Sequence, residues 1–157
     1  MRRHTLTLVV APLLLSVTLA AGLEQTKPDF SGKWTKIPAS PDGAVETMTL
    51  SQTADTLTVE TQSPEYGVMR GIQKLDGSES KNVFKRVKPP LIEDVQVSFT
   101  SWDGDSLVTR TPVRDTPAPY VLTTVMRLEG AILVIQATST SESTGAVVNQ
   151  QTFRYSK

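Results

Sequence analysis

Polar and apolar residues alternate with a period of two along most of this chain, and helix-like spacing is scarce. Thr47-Met48-Thr49-Leu50-Ser51 and Thr56-Leu57-Thr58-Val59-Glu60 both alternate, and residues 52–55 between them suit a turn, so the pair reads as a hairpin. A third run covers 68–75 and is closed by Asp76-Gly77, a strong turn signal. A weaker run follows at 82–87, ended by Pro89-Pro90, which cannot donate ladder hydrogen bonds. Val95, Val97 and Phe99 share one face of the next run, and Asp103-Gly104 turns the chain into Leu107-Val108-Thr109. Tyr120, Leu122, Thr124, Met126 and Leu128 share a face, Glu129-Gly130 makes a tight turn, and Leu133, Ile135 and Ala137 share the next face. A closing run over 147–155 aligns Val147, Phe153 and Tyr155.

With 32–36 at the start, this pattern predicts about ten short strands joined mostly by tight turns. A flat sheet of that many strands leaves raw edges, and closure removes them. The expected fold is therefore all-β: an antiparallel up-and-down barrel of about eight to ten strands, with a small β-sandwich as the alternative. The Pro-rich segments 37–43 and 111–119 are too short to be domain linkers and read as surface loops.

Residues 1–21 change the picture of what matures. Arg2, Arg3 and His4 precede an apolar run over 6–21, and Ala20, Ala21 and Gly22 supply small residues at its end. This is the pattern of a secretory signal peptide, too short and too broken by Pro12 for a membrane span. The expected organisation is a signal peptide at 1–21 and one domain at 22–157, periplasmic or secreted, with no transmembrane segment in the mature chain. Cleavage removes His4, the one histidine, and the chain has no cysteine. Histidine-dependent triads, Cys-His pairs, zinc sites and disulfides are then excluded. The full chain carries 16 basic and 16 acidic residues, and loss of Arg2 and Arg3 leaves the mature chain at −2. That balance gives no nucleic-acid footprint. No metal and no cofactor is expected, and the mature protein is expected to be a monomer.

Two phrases carry a resemblance. Asp29-Phe30-Ser31-Gly32-Lys33-Trp34, followed by a strand, looks like the opening of the calycin barrels: lipocalins, fatty-acid-binding proteins and avidins. Together with Trp102-Asp103-Gly104-Asp105-Ser106-Leu107-Val108 it resembles more closely a group of small, uncharacterised bacterial secreted proteins. The likeness spans most of the mature chain in order and spacing. It implies a lipocalin-like barrel in which Gly32 lets the backbone bend, Trp34 plugs the closed end, and a basic residue of the last strand packs on the indole, here Arg154. The chain departs from the fatty-acid-binding pattern, with no helical pair between Lys36 and Thr47 and no Arg-x-Tyr phrase in the last strand. It lacks the further tryptophans of an avidin site. The resemblance implies a barrel and transfers no ligand.

The resulting expectation is a binding protein for a small hydrophobic or amphipathic molecule. Candidate ligand-binding residues are Phe99, Leu122, Met126, Phe153 and Tyr155, with Arg70 or Arg127 as polar anchors. Arg70 and Lys74 share a face with Val68 and Ile72, so either those apolar residues face solvent or the arginine points into a polar cavity. Trp102, opposite Phe99 in the alternation, is expected outside the barrel near its rim. Asp103-Gly104-Asp105 and Glu93-Asp94 read as turn chemistry and not as a calcium loop. Lys81, Lys85, Arg86 and Lys88 read as protection of an edge strand. Two other classes stay open: a filled-core protein working through its surface, and, more weakly, a cofactor-free enzyme. No catalytic residue is singled out.

Overall fold

The computed structural model describes residues 26–38, 46–63, 66–87, 89 and 93–157. The expected signal peptide, Lys88 and most of the first Pro-rich loop lie outside the described residues. The described regular structure is all strand: β1 (Gly32–Ile37), β2 (Thr47–Gln52), β3 (Thr56–Ser63), β4 (Gly67–Lys74), β5 (Asp76–Lys85), β6 (Glu93–Asp103), β7 (Ser106–Val113), β8 (Tyr120–Glu129), β9 (Ile132–Ser141) and β10 (Val147–Ser156). Every pairing is antiparallel, and the sheet order is β4-β3-β2-β1-β10-β9-β8-β7-β6-β5. Strands adjacent in sequence are therefore neighbours, and β1 pairs with β10 to bend the sheet into a nearly closed up-and-down barrel. That architecture is compatible with a lipocalin-like fold. No helix among the described residues is long and apolar enough to cross a membrane.

Register carries the core from strand to strand. Trp102, Leu107, Met126, Ile135 and Phe153 stand side by side across β6, β7, β8, β9 and β10. Directly paired residues point to the same face, so these five form one inward belt. The buried core also takes Phe30, Trp34, Met48, Leu50, Leu57, Leu75 and Leu133. The alternation expected for β8 and β9 is the observed one.

In β6 the expected face is reversed. Ser98 and Thr100 are buried, Trp102 packs against the core, and Val95 and Phe99 are exposed. A strand that shifts by one residue exchanges all its faces at once. Here the indole decides: Trp102 stacks on buried Phe30 with ring centroids 5.9 Å apart, and the alternation then carries Thr100 and Ser98 inward. The β4–β5 turn also differs from expectation. Leu75 alone turns the chain, buried, its N–H donating to the Asp55 carbonyl at 2.9 Å. Asp76-Gly77 instead begins β5, in a bulge that the positive φ of Gly77 permits. At the other end of the chain, a register shift between Val147 and Asn149 separates exposed Val147 from the inward pair Phe153 and Tyr155.

The barrel is not fully zipped. Among the described residues no backbone ladder joins β4 to β5. Side chains bridge them instead. The Asn82 carboxamide accepts from the Ile72 N–H at 2.8 Å and donates to the Ile72 carbonyl at 3.1 Å, as a paired backbone would. Ser80 Oγ accepts from the Lys74 N–H at 2.8 Å. At the upper end of this seam the Tyr66 hydroxyl donates to Asp94, and Arg86 lies over the Tyr66 ring at 5.6 Å while reaching Asp94 at 3.5 Å. The edge-protection reading of Lys81 and Lys85 fits this position, since β5 is an edge strand.

Candidate functional site

The floor of the barrel comes first, because it decides what is enclosed. The segment before β1 crosses the closed end and is fastened there. Phe30 N–H donates to Gln52 Oε1 at 3.0 Å, Gln52 Nε2 donates to the Pro28 carbonyl at 2.9 Å, and Lys27 Nζ donates to the Gly104 carbonyl at 2.9 Å. Asp29 accepts the Ser31 N–H at 2.9 Å, and the Ser31 side chain, with that N–H, holds its carboxyl below the usual carboxylate range. Trp34 is 2 % exposed, and its indole N–H donates to the Phe30 carbonyl at 2.9 Å. The resemblance implied a plugging tryptophan at this position, and Trp34 is buried in the core with Phe30 and Met48.

The cation on that plug is Lys157, with Nζ 4.9 Å from the ring centroid. Arg154, expected in this role, faces outward instead and donates to Glu129 Oε2 at 3.0 Å. Alternation explains the difference. Tyr155 pairs with inward Leu133, so its neighbour Arg154 must point out. Gly32 makes room for the lysine: a Cβ there would lie 2.8 Å from Lys157 Cε, and its φ of +141° suits only glycine.

Above the floor lies an interior cavity of about 200 Å³. Its lining has six apolar residues, Met48, Val59, Leu107, Leu122, Met126 and Ile135. Among them stand polar but uncharged ones, Gln73, Gln96, Thr109, Thr111 and Thr124; Thr111 pairs with Leu122, and Thr124 lies between Leu122 and Met126 on the inward face of β8. Thr109 shares a hydrogen bond with Thr100 at 2.9 Å and reaches Gln73 Oε1 at 3.5 Å. No buried side-chain polar atom among the described residues lacks a partner.

Beyond Trp34 on the same face of β1, Lys36 stands opposite Tyr155 and lies 5.3 Å over the Phe153 ring. Its ammonium meets Glu46 Oε1 at 2.8 Å. The Glu46 carboxylate raises the Lys36 pKa, and burial pushes the Tyr155 phenol up. Both groups therefore hold their protons more firmly than free side chains do, the opposite of what an activated base or nucleophile requires.

The candidates separate into two sets. Leu122 and Met126 line the cavity. Phe153 and Tyr155 are inward and pack against the core beside it. Phe99, Arg70 and Arg127 point outward. Arg70 pairs with exposed Glu60 on the outer face of β3 and β4, where Val68 and Ile72 are exposed too, so the solvent-facing alternative holds. Arg127 donates to Glu129 at 2.8 Å, and Glu129, held chiefly by Arg127 and also by Arg154, sits below its ordinary pKa. Alternation alone sets Arg127 opposite Met126. Sequence reasoning missed Gln73, Gln96 and Thr109. The one signal for Gln96 was Trp102: with that indole inside, positions 100, 98 and 96 follow it inward.

Comparison of the chain with models of known protein families finds no match, and none is found among curated proteins.

Proposed function

We propose that this protein is an extracytoplasmic binding protein for a small, neutral, amphipathic molecule held inside the barrel. The leader pattern at 1–21 supports export, and the two phrases around Trp34 and Trp102 support a place among small secreted bacterial barrels. The observation that carries the binding reading is the cavity itself, lined by apolar and by neutral polar side chains. Both arginines considered as anchors point outward, so a carboxylate head group gains no partner from them. Size narrows the class further. A cavity of 150 Å³ accepts benzene, so about 200 Å³ suits a ligand of roughly ten non-hydrogen atoms, not a long acyl chain. Apolar contacts with Leu122 and Met126 supply affinity, and a hydroxyl or carbonyl facing Thr109, Thr124 and Gln96 sets orientation.

Native mass spectrometry of protein purified from its own host tests this. The expected result is a co-purifying small molecule that is lost in Thr124→Leu, which puts a larger apolar group in place of a polar lining one. An empty protein whose Thr124→Leu variant is simply more stable would overturn the reading and leave a protein that works through its surface.

A further inference from the structure

We propose that the interior ligand is a small neutral carbonyl compound whose oxygen is read by the Gln73 carboxamide. The inference rests on the binding reading above and narrows it, because that reading leaves open whether the polar group of the ligand donates or accepts.

The direction of one hydrogen-bond chain decides the matter. A threonine hydroxyl has a single proton to give. Thr109 gives its proton to Gln73 Oε1 at 3.5 Å. In the 2.9 Å contact between Thr100 and Thr109 the donor is then Thr100. The chain runs one way, from Thr100 through Thr109 to the Gln73 oxygen, and hydrogen bonds in line polarise one another. Thr109 keeps no proton for a ligand. At the far end, nothing among the described residues accepts from Gln73 Nε2. No buried side-chain polar atom among them lacks a partner, so this unpartnered nitrogen is reachable. Gln73 lines the cavity, and a carboxamide nitrogen carries two protons and accepts nothing. The group that Gln73 has left for a ligand is therefore a donor.

That donor is held in place. Gln73 is a half-buried, inward residue of β4 between exposed Ile72 and Lys74. The N–H groups of those two neighbours are fixed at 2.8 Å each, by Asn82 and by Ser80. Backbone on both sides and the carboxamide oxygen are thus tied before any ligand arrives, which lowers the cost of ordering the site. An acceptor on the ligand must match it. The lining residues are all neutral, so a carboxylate there would be buried without a counter-charge. A carbonyl accepts without bringing a charge or a proton of its own to satisfy, and the apolar remainder of the ligand meets Leu122 and Met126.

NMR titration of the full chain with acetophenone and with ethylbenzene tests the proposal. The two probes are alike in shape, are small enough for about 200 Å³, and differ in the carbonyl oxygen. The methyl signals of Leu122 and Met126 report entry. Acetophenone is expected to bind about tenfold more tightly, the worth of one hydrogen bond to a donor that ethylbenzene leaves unpaired. The preference should vanish in Gln73→Met, which keeps the length of the side chain and removes the donor. The comparison in the parent protein stands whether or not that variant folds. Equal binding of the two probes, with the Leu122 and Met126 signals shifted by both, would overturn the carbonyl inference and leave the cavity reading in place. So would a preference that survives in folded Gln73→Met. No shift of those signals with either probe would overturn the cavity reading and this inference with it.

Discussion

Replacing Trp34 tests the floor of the barrel, because that side chain makes three separable contacts. Its bulk fills the closed end, its N–H satisfies the Phe30 carbonyl, and its face carries Lys157. Trp34→Ala should cost about 3–5 kcal/mol, the usual range for emptying a buried aromatic site. At roughly 3 °C per kcal/mol for a domain of this size, the melting temperature falls by about 10–15 °C. A loss that large approaches the whole stability of an ordinary domain, so Trp34→Phe is the companion variant. It keeps an aromatic ring and loses the hydrogen bond, and should cost about 1–2 kcal/mol. Lys157→Ala should cost about 0.5–1 kcal/mol, as an exposed cation–π contact. Urea unfolding of single and double variants then separates the two basic residues. Trp34 and Lys157 should be non-additive, because each loss removes the same contact. Trp34 and Arg154 should be additive, since Arg154 is on the outer wall with Glu129. Coupling of Trp34 to Arg154 instead of Lys157 would refute the register of β10. A harmless Trp34→Ala would refute the floor itself.

Asn82→Ala should cost about 1 kcal/mol by removing both amide contacts to Ile72. Hydrogen exchange should rise in β4 and β5 alone, and a uniform rise would mean that the seam is no weaker than the rest of the barrel. On the acid side, the carboxyls of Asp29, Asp76 and Glu129 are lowered, by Ser31, Ser78 and Arg127 respectively. Their contribution is complete above the unfolded value near ~4 and is lost as pH falls through the folded values, so the urea midpoint should drop on acidification and less steeply in Glu129→Gln. On the alkaline side, burial raises the Tyr155 phenol, so its contribution is complete below about pH 10 and is lost as pH rises through the folded value. Tyr155→Phe should flatten that limb of the urea-midpoint profile, and an unchanged limb would refute the assignment.

Strand number and order were legible because period-two alternation and Asp-Gly or Glu-Gly turns are local properties of the chain. The inward face of β8 and β9 was legible from the alternation of Leu122, Met126, Leu133 and Ile135, the largest apolar groups falling at every second position. The roles expected for Gly32 and Trp34 came from the resemblance carried by their phrase. Local pattern divides a strand into two faces, however, and does not say which is inside. In β6 both faces carry large apolar groups, Phe99 on one and Trp102 on the other, and only the stacking of Trp102 on Phe30 from a distant segment chose between them. That choice turned Ser98 and Thr100 inward and placed Phe99 outside. The polar lining of the cavity, the side-chain seam at Asn82 and the identity of Lys157 as the cation on Trp34 likewise join residues far apart in the chain. The sequence by itself determined a ten-stranded meander with an apolar interior. The tertiary structure alone decided which polar residues share that interior, because facing is set by cross-strand neighbours and not by the alternation within a strand.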